Sequence, residues 1–255
     1  MNETKKKILG YSEIPPDVPR LETFDALFVD DPSCEFLIPT KLTKQAVSRE
    51  VFRSGFRTHF IGYFASRVNQ ALVTFESALE KHACRYFESY SEILSYKTQP
   101  YPVNVYFFDK FRTVYPDFEL TLKSGHALID IRYIDNTKSP KFKARCAALK
   151  QYAAQRGYSY TLLTEQELIT TRTDNSKLLL SFCKGSPHTR LIDDVKTWLN
   201  SSLPMDFNEL VRLTSAYPSV RAVLAGMILD GALLIDWDLP IQSQSVHFGN
   251  DSWLA

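Results

Sequence analysis

The sequence predicts a mixed α/β fold followed by a small C-terminal unit of helices and a strand. Between residues 77 and 163, a helix, four β segments, a second helix and another β segment follow one another. After residue 188 come three helical segments, a turn and a strand, which is the element order of a winged-helix-like unit. The composition, 44% hydrophobic and 23% charged over 255 residues, is typical of a folded protein and excludes a disordered or collagen-like chain.

The elements of the first part follow from local patterns. Recurrent prolines predict an irregular N-terminal arm over residues 1–55, with one short helix at Thr43–Phe52. Apolar residues three and four positions apart predict a helix over Ser77–Glu88, and a second helix is predicted over Lys141–Arg156. Extended segments are predicted at Arg57–Ser66, Leu72–Phe75, Val103–Phe108, Arg112–Tyr115, Asp117–Leu122, His126–Tyr133 and Tyr158–Leu163. The four between residues 103 and 133 are expected to form meander-like hairpins.

The C-terminal third is predicted to be mostly helical. The sequence Thr164-Glu-Gln-Glu167 is a capping box that starts a helix, and a joint is expected at Lys184–Pro187. Beyond the joint, the predicted elements are helices at Arg190–Leu199, Asp206–Thr214 and Ser219–Leu229 and a strand at Leu233–Trp237. The chain therefore divides into an N-terminal arm (1–55), an α/β domain (56–187) and a C-terminal unit (188–255).

Charge is distributed unevenly, although the whole chain is nearly neutral. There are 30 Lys and Arg residues against 29 Asp and Glu residues, a net charge of +1. Residues 188–255 contain four basic and eight acidic residues, which leaves residues 1–187 with a net charge of +5. A basic α/β part suits a polyanionic partner such as DNA, whereas the acidic C-terminal unit favours docking to proteins.

Several classes of protein are excluded. No apolar run approaches the roughly 20 residues that span a bilayer, and no apolar segment follows the basic start as it would in a signal peptide. The four cysteines lie far apart and predict neither a disulfide framework nor a zinc site. We therefore expect a cytoplasmic protein without a membrane partner. The absence of a Gly-rich phosphate loop and of a G-x-S-x-G sequence argues against an ATPase and a serine hydrolase.

Two acidic residues on neighbouring predicted strands are the main functional signal. Asp117 starts one strand and Asp130 lies inside the next, so a hairpin brings both carboxylates to the same level, where they suit Mg²⁺ or Mn²⁺. Strand alternation places Arg132 on the face of Asp130, where a cation can hold the attacking water or stabilise transition-state charge. Glu80, on the preceding helix, is placed to complete the metal shell. Taken singly, an Asp-x-Arg sequence is also explained by an edge-strand ion pair, and a Pro-Asp sequence by a turn.

These residues belong to a longer pattern. Its parts, in order, are Phe75-Glu-Ser-Ala-Leu-Glu80, Gln99-Pro100, Tyr115-Pro-Asp-Phe118, Asp130-Ile-Arg132, Gly157-Tyr158 and Leu162-Leu-Thr-Glu165. The pattern resembles that of the PD-(D/E)xK nuclease superfamily, and more closely that of TnsA-like endonuclease subunits of heteromeric cut-and-paste transposases. The similarity covers roughly residues 53–182, and more loosely the winged-helix-like C-terminus.

The resemblance implies a restriction-endonuclease-like mixed sheet flanked by helices, and a role for each matching residue. Glu80, Asp117 and Asp130 would form the metal shell, and Arg132 would stand in place of the catalytic lysine. Lysine can lose a proton when it is desolvated, whereas arginine stays protonated. The implied function is metal-dependent cleavage of the 5′, non-transferred strand of double-stranded DNA at transposon ends.

The resemblance also implies protein partners. A DDE-type transposase would cut and join the 3′ ends, and an AAA+ regulator would couple both cleavages to the target. Two alternatives stay open. The chain is either a weak or inactive nuclease fold that recruits those partners, or a winged-helix DNA-binding regulator.

A basic segment follows the last acidic candidate. Its candidate DNA contacts are Lys138, Lys141, Lys143 and Arg145, and the alternative interpretation is a solvated helix face. The tail Pro240–Ala255 is mainly polar and ends in an apolar pair, which predicts a peptide-like contact for a partner.

Overall fold

The computed structural model describes residues 42–46, 60–183 and 189–249 of the chain. Most of the predicted N-terminal arm, the expected joint at Lys184–Pro187 and the last residues of the tail lie outside this part. The described part is a mixed α/β protein, as predicted. Within it, no helix has the length and apolar character needed to cross a membrane.

A hairpin leads into the first helix. β1 (Gly62–Ser66) and β2 (Ala71–Phe75) pair antiparallel, and α1 (Ala78–Glu88) follows them. Ser77 is the N-cap of α1, because its hydroxyl accepts a hydrogen bond from the backbone N–H of Glu80. The predicted helix and its start are confirmed.

The helix predicted at Thr43–Phe52 is wrong for the residues that are described. Lys44 forms a parallel bridge with Leu72, and the Leu72 N–H donates to the carbonyl of Thr43 at 2.9 Å. The backbone groups of this segment therefore form hydrogen bonds with the edge of β2, and these bonds compete with the hydrogen bonds of a helix. Residues 47–52 lie outside the described part.

The central sheet is assembled from strands that are separated in sequence. The elements are β3 (Ile93–Thr98), β4 (Val103–Phe107), β5 (Lys110–Val114), β6 (Phe118–Leu122), β7 (Gly125–Ile131), α2 (Pro140–Ala154) and β8 (Ser159–Leu163). The strand order is β3-β6-β7-β8, with every pair antiparallel except β7–β8. A parallel pair needs a crossover connection, and α2 supplies it.

Two details of the predicted meander are wrong. β3, which is not among the predicted strands, forms an edge of the central sheet. β4 and β5 form a separate two-stranded sheet, because Pro116 interrupts the chain before β6, which pairs with β3 through Thr98 and Phe118 instead. The central sheet is therefore continuous from β3 to β8 without the β4–β5 hairpin.

Helices α1 and α2 pack on opposite faces of the central sheet. Phe87 of α1 lies in one core cluster with Phe118 and Ile131 of the sheet. The neighbouring residue Asp130 points to the other face, where it meets α2. Helix α2 also packs against the β4–β5 hairpin, through the fully buried Leu149.

The C-terminal part contains the three predicted helices and a small sheet. The elements are α3 (Glu165–Leu168), α4 (Thr171–Phe182), α5 (Thr189–Asn200), β9 (Met205–Asp206), α6 (Phe207–Leu213), α7 (Pro218–Leu229), β10 (Leu233–Leu234) and β11 (Ser245–Phe248). The capping box at Thr164 is confirmed, and Asp206 is the N-cap of α6, whose N–H groups at Asn208 and Glu209 donate to its side chain. The strand order is β10-β11-β9, and the predicted strand at Leu233–Trp237 is reduced to its first two residues.

Part of the predicted tail is built into this unit. β11 pairs with both β9 and β10, and Ile241 and Val246 are fully buried in the C-terminal core. The expectation of a peptide-like tail is therefore wrong for Pro240–Gly249, because its apolar side chains complete the core. Residues 250–255 lie outside the described part.

Polar contacts join the C-terminal part to the α/β part and also fix segments within the C-terminal part. Arg67, in the turn after β1, makes two hydrogen bonds to Asp230, at 2.7 and 3.2 Å. Asn175 of α4 donates to the carbonyl of Leu239 at 2.8 Å and accepts from the N–H of Ile241 at 3.0 Å. Helix α4 therefore fixes the 239–241 segment through one side chain.

Candidate active site

Glu80 is fixed in the first turn of α1. Its Oε2 accepts from the Glu76 N–H at 2.7 Å, and its Oε1 accepts from the Ser77 hydroxyl at 3.2 Å. Burial, followed by the negative charge of Asp117, raises the pKa of Glu80 to about 7. The negative charge of Asp117 therefore disfavours ionisation of Glu80.

Asp117 lies just before β6. Its Oδ2 accepts from the Ile131 N–H at 2.7 Å and from Nη1 of Arg132 at 3.0 Å. Burial raises the pKa of Asp117 to about 6, against the lowering effect of Arg132, and the charge of Asp130 raises it further. Loss of solvation is therefore the main cause of the raised pKa, and the positive charge of Arg132 offsets only part of it.

Gln99 ties the two acidic segments together. Its backbone N–H donates to the carbonyl of Asp117 at 2.9 Å, and its side-chain Nε2 donates to Oε1 of Glu76 at 2.5 Å. It therefore links the start of α1 to the start of β6. The Gln99-Pro100 motif carried the family resemblance, but its positioning role was not among the predictions.

Glu88 shows, by contrast, how this fold accommodates a structural carboxylate. Its two oxygens accept from the Ser66 hydroxyl (2.6 Å), the Tyr96 hydroxyl (2.9 Å) and the backbone N–H groups of Arg67 and Val68. Four donors satisfy this fully buried group. Asp117 has two donors, both on Oδ2, and no donor reaches its Oδ1 from the described residues.

Asp130 lies nearby but is held by different partners. It is fully buried and forms a two-pronged ion pair with Arg145 of α2, in which Nη2 donates to Oδ1 at 3.1 Å and Nη1 to Oδ2. The Tyr160 hydroxyl donates to the same Oδ2 at 2.8 Å. Both carboxylate oxygens are therefore occupied by protein donors.

Arg132 places a positive charge next to the carboxylate of Asp117. Its Nη1 donates to Oδ2 of Asp117 and, at 2.6 Å, to the carbonyl of Ile131. Its side chain is 38% exposed, so the guanidinium also meets solvent. The pair is therefore partly screened, and a solvent-side anion has access to the guanidinium.

The predicted DNA contacts differ in their surroundings. Lys141 and Lys143 are exposed on the first turns of α2, and Lys138 is exposed and paired with Asp135 at 2.7 Å. Arg145 instead faces inward and, besides Asp130, donates to the Tyr115 carbonyl at 3.0 Å. Three of the four candidates therefore lie at the surface of α2 or just before it, while Arg145 joins α2 to the central sheet.

The donor set fits a divalent cation in part. Among the described residues, no group of three or more His, Cys, Asp and Glu side chains is arranged to hold a metal ion. Mg²⁺ is commonly held by one or two carboxylates together with water and substrate phosphates, so Glu80 and Asp117 are sufficient in number and type. Asp130 does not fit as it stands, because Arg145 and Tyr160 already occupy its oxygens.

Two comparisons with known proteins find no match for the chain. No protein-family model matches the chain, and no curated protein sequence matches it significantly. Functional inference therefore depends on the residues and their geometry.

Proposed function

We propose that the chain is a metal-dependent DNA endonuclease that cuts the 5′, non-transferred strand at the ends of a mobile element. The observation that carries the proposal is the pair of mostly buried carboxylates of Glu80 and Asp117: both have a raised pKa, and the negative charge of Asp117 contributes to the rise at Glu80. Such a pair is destabilised by its own charge, and a divalent cation would relieve that repulsion.

The element order supports the nuclease assignment. The central sheet is mixed and has four strands, with one parallel crossover and a helix on each face. Its elements follow the chain in the order α1, β3, β6, β7, α2 and β8. This order is compatible with the restriction-endonuclease-like arrangement that the motif order implies. In that arrangement, the acidic residues of the motif would meet at one end of the sheet, next to α1.

The proposed reaction is hydrolysis of one phosphodiester bond. Water adds across the bond and one P–O bond breaks, leaving a phosphate end and a hydroxyl end. A bound Mg²⁺ or Mn²⁺ would neutralise phosphate charge and activate water. Glu80 and Asp117 would hold this cation, and Arg132 would supply a positive charge to the phosphate.

The exposed basic residues extend the proposed DNA surface beyond the site. Lys138 lies just before α2, and Lys141 and Lys143 lie in its first turns, within eleven residues of Arg132. Lys138 is paired with Asp135, but no acidic residue occurs between Lys138 and Tyr160, so Lys141 and Lys143 give this stretch a positive charge that attracts phosphates.

The proposed partners are a DDE-type transposase and an AAA+ regulator. The acidic C-terminal unit, proposed to be winged-helix-like, is better suited to a protein than to DNA. Leu234, Leu239 and Phe248 are exposed apolar side chains of this unit and supply candidate protein contacts.

A second candidate is a nuclease fold retained as a scaffold for those partners. Two arginines favour this candidate. Arg145 donates hydrogen bonds to the carboxylate of Asp130, and Arg132 donates one to the carboxylate of Asp117, so both compete with a metal ion for these oxygens. A scaffold would bind the partner transposase and the element ends without cutting either strand.

Strand-mapped cleavage distinguishes the two. Element-end duplex, labelled on either strand, is incubated with the chain, the partner transposase and Mg²⁺ or Mn²⁺. We expect a nick on the 5′ strand that a chelator abolishes and that is faster at pH 8 than at pH 6, because Glu80 loses its proton near pH 7. Binding of DNA and partner without any 5′ nick would contradict the nuclease proposal and support the scaffold.

A further inference from the structure

The Arg132 guanidinium bridges two oxygen atoms at the candidate site. Nη1 lies 3.0 Å from Oδ2 of Asp117 and 2.6 Å from the carbonyl oxygen of Ile131. The Ile131 N–H donates to the same Oδ2 at 2.7 Å, so the carboxylate and the carbonyl are held next to each other by the backbone. One positively charged group therefore sits where two oxygen ligands converge.

Carboxylate and carbonyl oxygens are also the ligands that Mg²⁺ and Mn²⁺ prefer. An N–H donor at 2.6–3.0 Å occupies one lone pair of each oxygen, and the positive charge of the guanidinium repels a metal ion. Arginine cannot yield by losing its proton at ordinary pH. While it stays there, the guanidinium opposes a cation at these two oxygens, and only Oδ1 of Asp117 has no donor from the described residues.

We propose that Arg132 acts as an internal cation that competes with a divalent metal ion for Oδ2 of Asp117 and the carbonyl of Ile131. The inference rests on the proposed nuclease function and adds a control to it. Because Arg132 is partly exposed, it has room to turn toward solvent. A DNA phosphate is a suitable new partner there, since guanidinium groups bind phosphate through two parallel hydrogen bonds.

Titration of Mn²⁺ into the full chain, by calorimetry or electron paramagnetic resonance, tests the competition without any cleavage. Arg132→Gln is expected to bind Mn²⁺ at least about tenfold more tightly than the wild type, because the competing charge is gone. Lys123→Gln is the matched control: it removes an exposed cation at the far end of β6 and is expected to leave the affinity unchanged. Thermal unfolding of each variant checks that it is folded.

The double variant Arg132→Gln/Asp117→Asn tests whether the Asp117 carboxylate is the ligand for which Arg132 competes. It is expected to lose the gain in affinity. Equal or weaker Mn²⁺ binding by Arg132→Gln would overturn the inference, as would a gain that survives in the double variant.

Cleavage measured on the same samples separates this inference from the proposed function. Tighter Mn²⁺ binding by Arg132→Gln, with no 5′ nick from any form, supports the competition and contradicts the nuclease. A cation-dependent 5′ nick from the wild type, with equal Mn²⁺ affinities, supports the nuclease and overturns the competition.

Discussion

Arg145→Ala is expected to lower the free energy of unfolding by about 3–5 kcal/mol, because it leaves the Asp130 carboxylate buried without its counter-charge. Arg145 also donates to the carbonyl of Tyr115, so the substitution loosens the chain just before Asp117. Urea unfolding followed by circular dichroism measures the effect. Lys150→Ala, at an exposed position on the same helix, is the control and is expected to change stability by less than about 0.5 kcal/mol.

A double variant separates the buried charge from general damage to α2. Asp130→Asn/Arg145→Met removes both charges and is expected to recover part of the stability lost in Arg145→Ala. A loss below about 1 kcal/mol in Arg145→Ala, or no recovery in the double variant, would show that the ion pair is not what joins α2 to the central sheet.

Asp117→Asn and Glu80→Gln are each expected to reduce 5′-strand nicking by at least about 100-fold. Removing a residue that only hydrogen-bonds to a metal ligand lowers metal affinity or activity by about 10- to 100-fold. Glu80 and Asp117 are proposed to be the ligands themselves, so a larger loss of activity is expected. Both substitutions keep the shape of the side chain, remove its charge and replace one acceptor oxygen with an NH₂ donor. Glu92→Gln, an exposed carboxylate at the start of the β3 region, is the matched control and is expected to nick normally.

The stability of Glu80→Gln provides an independent check. The folded-state pKa of Glu80 is raised to about 7, so its contribution to stability is fully present at low pH and is lost as the pH rises through about 7. The neutral glutamine avoids this loss, and the variant is expected to be as stable as the wild type, or more stable, at pH 8. Reduced nicking together with a marked loss of stability at pH 8 would indicate a structural role for Glu80 instead.

Periodicity predicted the regular elements well, and the failures have local causes. β3 was missed because its register is irregular between Ile93 and Ser95, which breaks the two-residue alternation that signals a strand. The segment around Lys44 was predicted to be helical, but pairing with the distant residue Leu72 decides its conformation. Sequence patterns report local preference and cannot show that a strand edge is available elsewhere in the fold.

The sequence predicted which residues belong to the candidate site, but it predicted only part of their contacts. The family pattern selected Glu80, Asp117 and Asp130. The charge of Asp117 acts on Glu80, as the pattern implies, whereas Arg145 binds the carboxylate oxygens of Asp130. A signal for Arg145 was present. It lies four residues before Leu149, which is four before Ala153, and both are buried, so the spacing places Arg145 on the inward face of α2. The identity of its partner depends on the parallel crossover to β8, which brings Tyr160 beside Asp130 and which no local pattern shows.

The most direct test of the central claim is to locate a bound Mn²⁺ ion by anomalous X-ray diffraction from crystals of the chain soaked at saturating Mn²⁺. We predict an anomalous peak within about 2.0–2.3 Å of carboxylate oxygens of both Glu80 and Asp117. A peak that contacts neither residue, or no peak at a concentration that saturates binding in solution, would contradict the claim that these two carboxylates form the metal-binding centre of a nuclease.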